Sequence, residues 1–193
     1  EACRGVGISL HRKLEEILEV ADRFPGRVAQ KYVENSKLWD RRKFDLRCWV
    51  LLTGGGASDF DAYIYEPLYA RLCAKPWSLD DHLLLDEKRH LSNLAVNKGS
   101  ADNLLGTQSD LEAMVDVEKV KKGIRNIVTA LARTAHQLAS TRSRSFEFLG
   151  VDIILDEDAK PWLLECNLSP ALARRNDAQS KLIDSALRGC IKR

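Results

Sequence analysis

The stretch Lys43-Phe44-Asp45-Leu46-Arg47-Cys48-Trp49-Val50-Leu51-Leu52-Thr53 sets the reading of the chain. Successive side chains of a β-strand point to opposite faces. Phe44, Leu46, Cys48, Val50 and Leu52 therefore share one face, and Lys43, Asp45, Arg47 and Trp49 the other. The first face asks for a core. The second sets two cations around a carboxylate, a row that either faces solvent or grips phosphate or a substrate carboxylate, with Asp45 orienting the cations. Arg71, in the next strand-like segment, is placed to add another phosphate contact.

On the N-terminal side, residues 10–24 carry Leu14, Ile17, Leu18 and Ala21 at helical intervals and stop at Pro25-Gly26. Residues 27–34 read as a strand. Gly54-Gly55-Gly56 and the polar residues after it read as a turn, with strand material at 61–65 and 68–74 interrupted by Pro67. Residues 78–106 show no sustained period and read as a long loop. Asp110 reads as the cap of a helical region, and Val117, Val120, Ile124, Ile127, Leu131, Ala135 and Leu138 mark a long amphipathic helix. Residues 146–155 and 161–166 read as strands around a turn at 156–160, and residues 180–191 as a final basic helix. The simplest assembly is one α/β (α+β) unit of antiparallel pairs with helices on one side.

Composition excludes several classes. The chain has 193 residues, 45% of them hydrophobic and 30% charged, with a net charge of +2; this is a globular composition. No apolar run reaches the roughly 18 residues of a membrane-spanning helix, and the first residues lack a signal-peptide layout. Five widely spaced cysteines without a CxxC pair argue against a disulfide framework or a zinc site and for a reducing compartment, with Cys48 and Cys166 as small core residues. The sole methionine, Met114, makes residue 1 something other than an initiator, so a piece of a longer protein is expected. The charge is uneven: +7 over residues 119–144, +4 over 174–193 and −6 over 80–118. Such basic segments suit an acidic partner or solvent. No nucleic-acid-binding motif accompanies them.

Three further places could carry chemistry. Antiparallel pairing about the turn at 156–160 sets Asp152 opposite Leu164 or Glu165, while Glu165 and Asn167 share a face. Asp152, Glu165 and Asn167 can thus converge as oxygen donors suited to Mg²⁺, or lie on a solvent-facing hairpin. Arg4-Gly5-Val6-Gly7 can bring backbone to phosphate or form a plain turn; it is neither a Rossmann fingerprint nor a Walker A loop. His90, within Arg89-His90-Leu91-Ser92-Asn93, is a ligand contact or a surface histidine.

Taken together, several strings resemble the tubulin–tyrosine ligase-like family. They are Gln30-Lys31-Tyr32-Val33-Glu34-Asn35, Arg42-Lys43-Phe44-Asp45-Leu46-Arg47, Arg89-His90-Leu91-Ser92-Asn93 with Asn97-Lys98, and Phe148-Leu149-Gly150-Val151-Asp152. The most specific is Lys160-Pro161-Trp162-Leu163-Leu164-Glu165-Cys166-Asn167-Leu168-Ser169-Pro170. The strings keep the family's order and cover nearly the whole chain. The resemblance implies an ATP-grasp fold and an enzyme that joins an amino acid to tubulin, usually at its acidic tail. It implies a partial domain, with residues 1–30 belonging to a central subdomain and 31–193 to the C-terminal subdomain.

The resemblance also implies roles. Arg4, Gly5 and Gly7 match the loop over the ATP phosphates, and Gln30, Lys31, Tyr32 and Val33 the hinge beside adenine. Lys43, Asp45, Arg47 and Arg71 match the row facing nucleotide and acyl group. His90, Ser92 and Asn93 match a loop near the ribose and the reacting groups. Asp152, Glu165 and Asn167 match the Mg²⁺ ligands. Ser92 stands where the family usually has Thr, Leu94 where it often has an aromatic residue, and Cys166 where Val is common. The implied reaction is attack of a carboxylate on the γ-phosphate of ATP with ADP leaving, then capture of the acyl phosphate by an amine with release of phosphate. Residues 163–172 look closest to the glutamylase members, which favours glutamate over glycine or tyrosine as the amino acid. The implied setting is the cytoplasmic cytoskeleton, including cilium or basal body, with microtubules as partner and neither membrane nor nucleic acid.

Overall fold

The computed structural model describes residues 7–56, 59–100, 104–138, 145–172 and 177–191. Helix α1 (Leu14–Arg23) comes first, followed by strands β1 (Leu38–Trp39), β2 (Arg42–Gly56), β3 (Asp59–Ile64) and β4 (Tyr69–Leu72). A 3₁₀ turn (Asp81–Leu83), helix α2 (Glu87–His90), strand β5 (Leu105–Gly106) and helices α3 (Gln108–Glu112) and α4 (Val117–Leu138) follow. Strands β6 (Ser145–Leu155) and β7 (Pro161–Asn167) and helix α5 (Asp177–Ile191) complete the set.

The alternating strand is the spine. β2 pairs antiparallel with β6 along one edge, and along the other with β4 in its first half and β3 in its second. The sheet runs β5-β4-β2-β6-β7, with β1 and β3 joined to β2 beside this path. β1 turns into β2 through Asp40 and Arg41, at φ 48° and 61°; two positive φ values are what a tight two-residue hairpin turn needs.

The apolar face of β2 lies in the larger core. Phe44, Leu46, Cys48, Val50 and Leu52 pack with Leu149, Val151 and Ile153 of β6 and with Val117, Val120, Ile124 and Val128 of α4. The other face is covered too: Trp49 and Tyr69 pack with Ile183 and Ala186 of α5. Helices therefore lie on both faces, not on one, because Trp49, Tyr69 and Phe148 interrupt the charged row with apolar surface for α5. The charged row is thus buried rather than solvated.

Other expectations are corrected locally. Residues 27–33 form no strand; Val28 lies exposed, and no ladder holds the segment. Gly54-Gly55-Gly56 continues β2, with a register shift between Gly54 and Gly56, and residues 57–58 of the expected turn lie outside the described residues. The long loop at 78–106 contains the 3₁₀ turn, α2 and β5. Thr107, not Asp110, caps α3: its side chain accepts from the Asp110 amide while the Asp110 carboxylate accepts from the Thr107 amide. Cys166 is exposed, whereas Cys48 and Cys73 are buried. Helix α1 forms as expected but buries no residue, with Leu14 and Leu18 more than half exposed. No helix among the described residues is long and apolar enough to cross a membrane.

Candidate active site

Sheet register assembles the site. Asp45 pairs with Arg71 across β2–β4, Arg47 with Asp152 across β2–β6, and Asp152 with Glu165 across β6–β7. Directly paired residues share a face, so the row Lys43, Asp45, Arg47 meets Arg71, Asp152 and Glu165 on one side of the sheet. A bulge lets Glu165 join them. Ile153 pairs with Leu163, so two residues, Leu164 and Glu165, stand where one would oppose Asp152. Leu163 packs toward the larger core, and strict alternation from it would send Glu165 the same way. The extra residue re-aims Glu165 to the charged face.

The charges are tightly paired. The Arg71 Nε and Nη2 groups donate to the two Asp45 oxygens at 2.7 and 2.8 Å, and Nη2 also lies 2.7 Å from Asp152 Oδ2. The Arg47 Nε donates to Asp152 Oδ1 at 2.5 Å and its Nη2 to Oδ2 at 3.2 Å. The Ser92 hydroxyl donates to Asp45 Oδ2. All five of these side chains are buried. Burial alone lowers the pKa of Arg71, but the Asp45 and Asp152 carboxylates outweigh it and raise the value above the ordinary one. Two guanidinium groups thus offset the charge of the Asp45 and Asp152 carboxylates.

Gly150 makes room for this geometry. It pairs with Trp49, and a Cβ added to it would come within 2.6 Å of Pro170 Cβ and 2.9 Å of Arg47 Nη1. A side chain there would force Arg47 or Pro170 to shift.

Lys43 begins a second cluster on the same row. Its ammonium lies 3.9 Å from the centroid of the Tyr32 ring. Burial pushes its pKa down to about 8, against the raising influence of Cys73 and Asp45. The Tyr32 hydroxyl lies 3.0 Å from His90 Nδ1 and accepts from Trp77 Nε1 at 3.1 Å. His90 is buried rather than on the surface. Asn97 ties down the loop that carries these groups, donating to the Leu91 and Asn93 carbonyls and accepting from the Ala74 amide. The Cys73 thiol beside Lys43 is pushed up to about 12 by burial and stays protonated.

The structure places the remaining candidates as follows. Gln30 reaches β7, its amide donating to the Leu163 and Leu164 carbonyls. Lys31 pairs with Glu34 in solvent, and Val33 and Asn93 are half-buried. Gly7 has φ 85°, but no contact among the described residues ties it to the charged face; Arg4 and Gly5 lie outside the described residues. Glu165 is exposed and accepts from Asn167 Nδ2 at 3.0 Å. Sequence reasoning missed Trp77 and Gly150. A tryptophan directly after Pro76 in a polar loop is the only signal for the first, and register against Trp49 the only one for the second.

The donor set suits Mg²⁺. Among the described residues no three His, Cys, Asp or Glu side chains converge; the set is two carboxylates and one amide, hard oxygen donors without sulfur or imidazole. A carboxylate offers about four lone-pair positions. Asp152 uses three on Arg47 and Arg71, leaving one for a cation. Glu165, on the solvent side, is open to a second bond.

This mixed α/β unit, a large antiparallel sheet with helices on both faces and one face lined with paired charges, is of the ATP-grasp kind. The model of the tubulin-tyrosine ligase family matches residues 1–193, and the chain belongs to that family. It is 33% identical over 202 residues to tubulin glycylase 3E of Tetrahymena thermophila, covering 94% of this chain and 14% of that protein. It is 34% identical over 191 residues to tubulin polyglutamylase ttll-4 of Caenorhabditis elegans, covering 89% and 31%. With tubulin polyglutamylase TTLL6 of Mus musculus it shares 30% over 209 residues, covering 96% and 25%. The chain therefore spans less than a third of the length of each of these relatives.

Proposed function

We propose that the chain carries the nucleotide- and metal-facing part of an ATP-dependent ligase that joins an amino acid to a glutamate side chain of a tubulin tail. The observation that carries this reading is the buried array Asp45–Arg71–Asp152–Arg47. Burying such charges costs several kcal/mol per ion before pairing repays it, and hydrophobic replacements would hold the sheet as well. Preorganised cations beside carboxylates are what phosphoryl transfer uses. Family membership supports the same reading.

Each residue has a task in it. Arg47 and Arg71 offset negative charge on the transferred phosphoryl group, and Asp45 and Ser92 hold Arg71 in place. Lys43 adds a point charge at the end of the row. Asp152, Glu165 and Asn167 hold Mg²⁺, which when bound offsets phosphate charge. Glu165→Gln in the complete protein should abolish ligation and remove the Mg²⁺ dependence of ATP binding in calorimetry. Full turnover at ordinary Mg²⁺ would overturn the metal assignment.

The amino acid is proposed to be glutamate, from the strings at residues 163–172. Glycine is an equal reading, since a glycylase at 33% identity and a polyglutamylase at 34% stand level. Ligation of labelled glutamate, glycine and tyrosine to tubulin by the complete protein decides between them: label from one amino acid only identifies the donor, and label from none rejects the ligase reading. Action at the cytoskeleton, with microtubules as partner, is part of the proposal.

A further inference from the structure

His90 carries an imidazole whose proton can sit on either ring nitrogen, and its surroundings discriminate between the two. Trp77 Nε1 can only donate, so the Tyr32 oxygen is an acceptor on that side. Burial pushes the Tyr32 pKa up to about 12, although the Trp77 bond pulls it down, so the phenol keeps its single proton. The acceptor within reach of that proton is His90 Nδ1, at 3.0 Å. The two rings meet edge to face at 74°, and the Trp77 backbone is pinned by its amide donating to the Arg41 carbonyl at 2.8 Å.

We propose that Trp77 and Tyr32 are positioning residues that hold His90 as the neutral tautomer with its proton on Nε2, so that the imidazole presents an N–H donor beside the Lys43 ammonium. The functional meaning of this donor, a hydrogen bond to an oxygen of the nucleotide or the reacting acyl group, rests on the proposed function; the tautomer itself does not. Nε2 is buried and meets no partner in full hydrogen-bond geometry among the described residues, although the ring feels a backbone hydrogen bond with Leu83. A buried donor so incompletely served is costly in a folded protein, and a ligand oxygen would satisfy it. Burial lowers the His90 pKa, a backbone hydrogen bond with Leu83 and the Asp86 charge oppose it, and the Lys43 and Arg89 cations act in the lowering direction. The ring is thus kept uncharged at neutral pH. Tyr32 serves two groups: its ring face carries Lys43 and its hydroxyl sets His90.

Nitrogen-15 NMR of the complete protein labelled at histidine tests this, with His90 assigned by His90→Gln. In the wild type, Nδ1 should resonate as an unprotonated nitrogen and Nε2 as a protonated one. Tyr32→Phe keeps the ring under Lys43 but removes the hydroxyl. It should give a mixture of tautomers and raise the His90 titration midpoint, because a bond to the neutral form is lost. Trp77→Phe should loosen the tautomer in the same direction. A wild-type ring protonated on Nδ1 overturns the proposal, and this measurement needs no variant to fold; so does Tyr32→Phe that leaves tautomer and midpoint unchanged. Calorimetry with ATP and Mg²⁺ on the same samples separates the two readings. The stated tautomer without nucleotide binding rejects the proposed function and supports the hydrogen-bond chain, whereas binding with the other tautomer does the reverse.

Discussion

Lys43 stands at one end of a row of five buried charged residues, and its pKa is drawn down toward the working range. Its value of about 8 comes first from burial. The sign follows directly. Below pH 8 the ammonium is charged and available to a phosphate; above it the charged fraction falls. kcat/KM for ATP, which reports the free protein, should therefore fall about tenfold per pH unit above about pH 8. Bound anionic nucleotide favours the charged form, so the corresponding limb of kcat should lie at higher pH. Lys43→Arg should remove the limb, since a guanidinium does not deprotonate in this range. A limb that persists in Lys43→Arg would assign the titration to another group. Gly150 gives a second residue-scale test. In Gly150→Ala the new Cβ falls 2.9 Å from Arg47 Nη1, and Arg47 must leave Asp152 or Pro170 must move. Misplacing a positioned charge by about 1 Å can cost roughly 100-fold in rate. The expected result is that loss with a thermal midpoint lowered by only a few degrees. An unchanged rate would show that Arg47 has no need of its place on Asp152.

At the scale of elements, the turn between β6 and β7 governs the residues proposed to hold Mg²⁺ because it sets their register. The Asp156 carboxylate accepts from the Asp158 and Lys160 amides and from Trp162 Nε1, at 3.1, 2.9 and 2.8 Å. Asp156→Ala removes all three and should cost about 1–2 kcal/mol, each net bond being worth roughly 1 kcal/mol or less at an exposed site. Urea unfolding measures the cost, and Mg²⁺ affinity should weaken with it if register is lost. The hairpin was legible in the sequence because a turn of Asp156-Glu157-Asp158-Ala159-Lys160 separates two β-rich runs. Its bulge was not, since Leu163-Leu164 offers two apolar residues and nothing local says which is the extra one. The strand β2 was equally legible from its alternation, but the burial of its charged face was not. The partners of that face come from 26 residues away for Arg71–Asp45 and 105 for Arg47–Asp152, separations that a periodicity window does not span. Residues 27–33 show the converse failure: β-compatible residues stay without a ladder, and it is the Gln30 side chain that reaches β7.

For the whole molecule, the two faces of the sheet divide the charge. α4 covers the face of Phe44 and Leu46, opposite the row of Lys43, Asp45 and Arg47. Its basic residues therefore do not wall the candidate site. Lys121 and Arg125 are also engaged with Glu66, and Lys121 with Glu118, which leaves Lys119, Lys122 and Arg133 without an ion pair among the described residues. The +4 excess of the C-terminal segment is owed to Arg174, Arg175, Lys192 and Arg193, outside the described residues, since within α5 Lys181 and Arg188 are balanced by Asp177 and Asp184. Packed layers stand about 10 Å apart, and the Debye length at 0.15 M salt is about 8 Å. Charges on the outer side of α4 are thus screened from the reacting groups but not from a long acidic chain that passes around the sheet. If α4 captures the acidic tail, Lys119→Glu, Lys122→Glu and Arg133→Glu together should raise KM for tubulin about tenfold at low salt, an effect of steering. The effect should shrink as salt rises. KM for ATP and kcat should stay at wild-type values, because neither depends on the far face of the sheet. Steady-state kinetics over a salt series reads all three quantities. A kcat that falls together with tubulin affinity would place α4 in contact with the reacting groups and overturn the division of labour between the two faces.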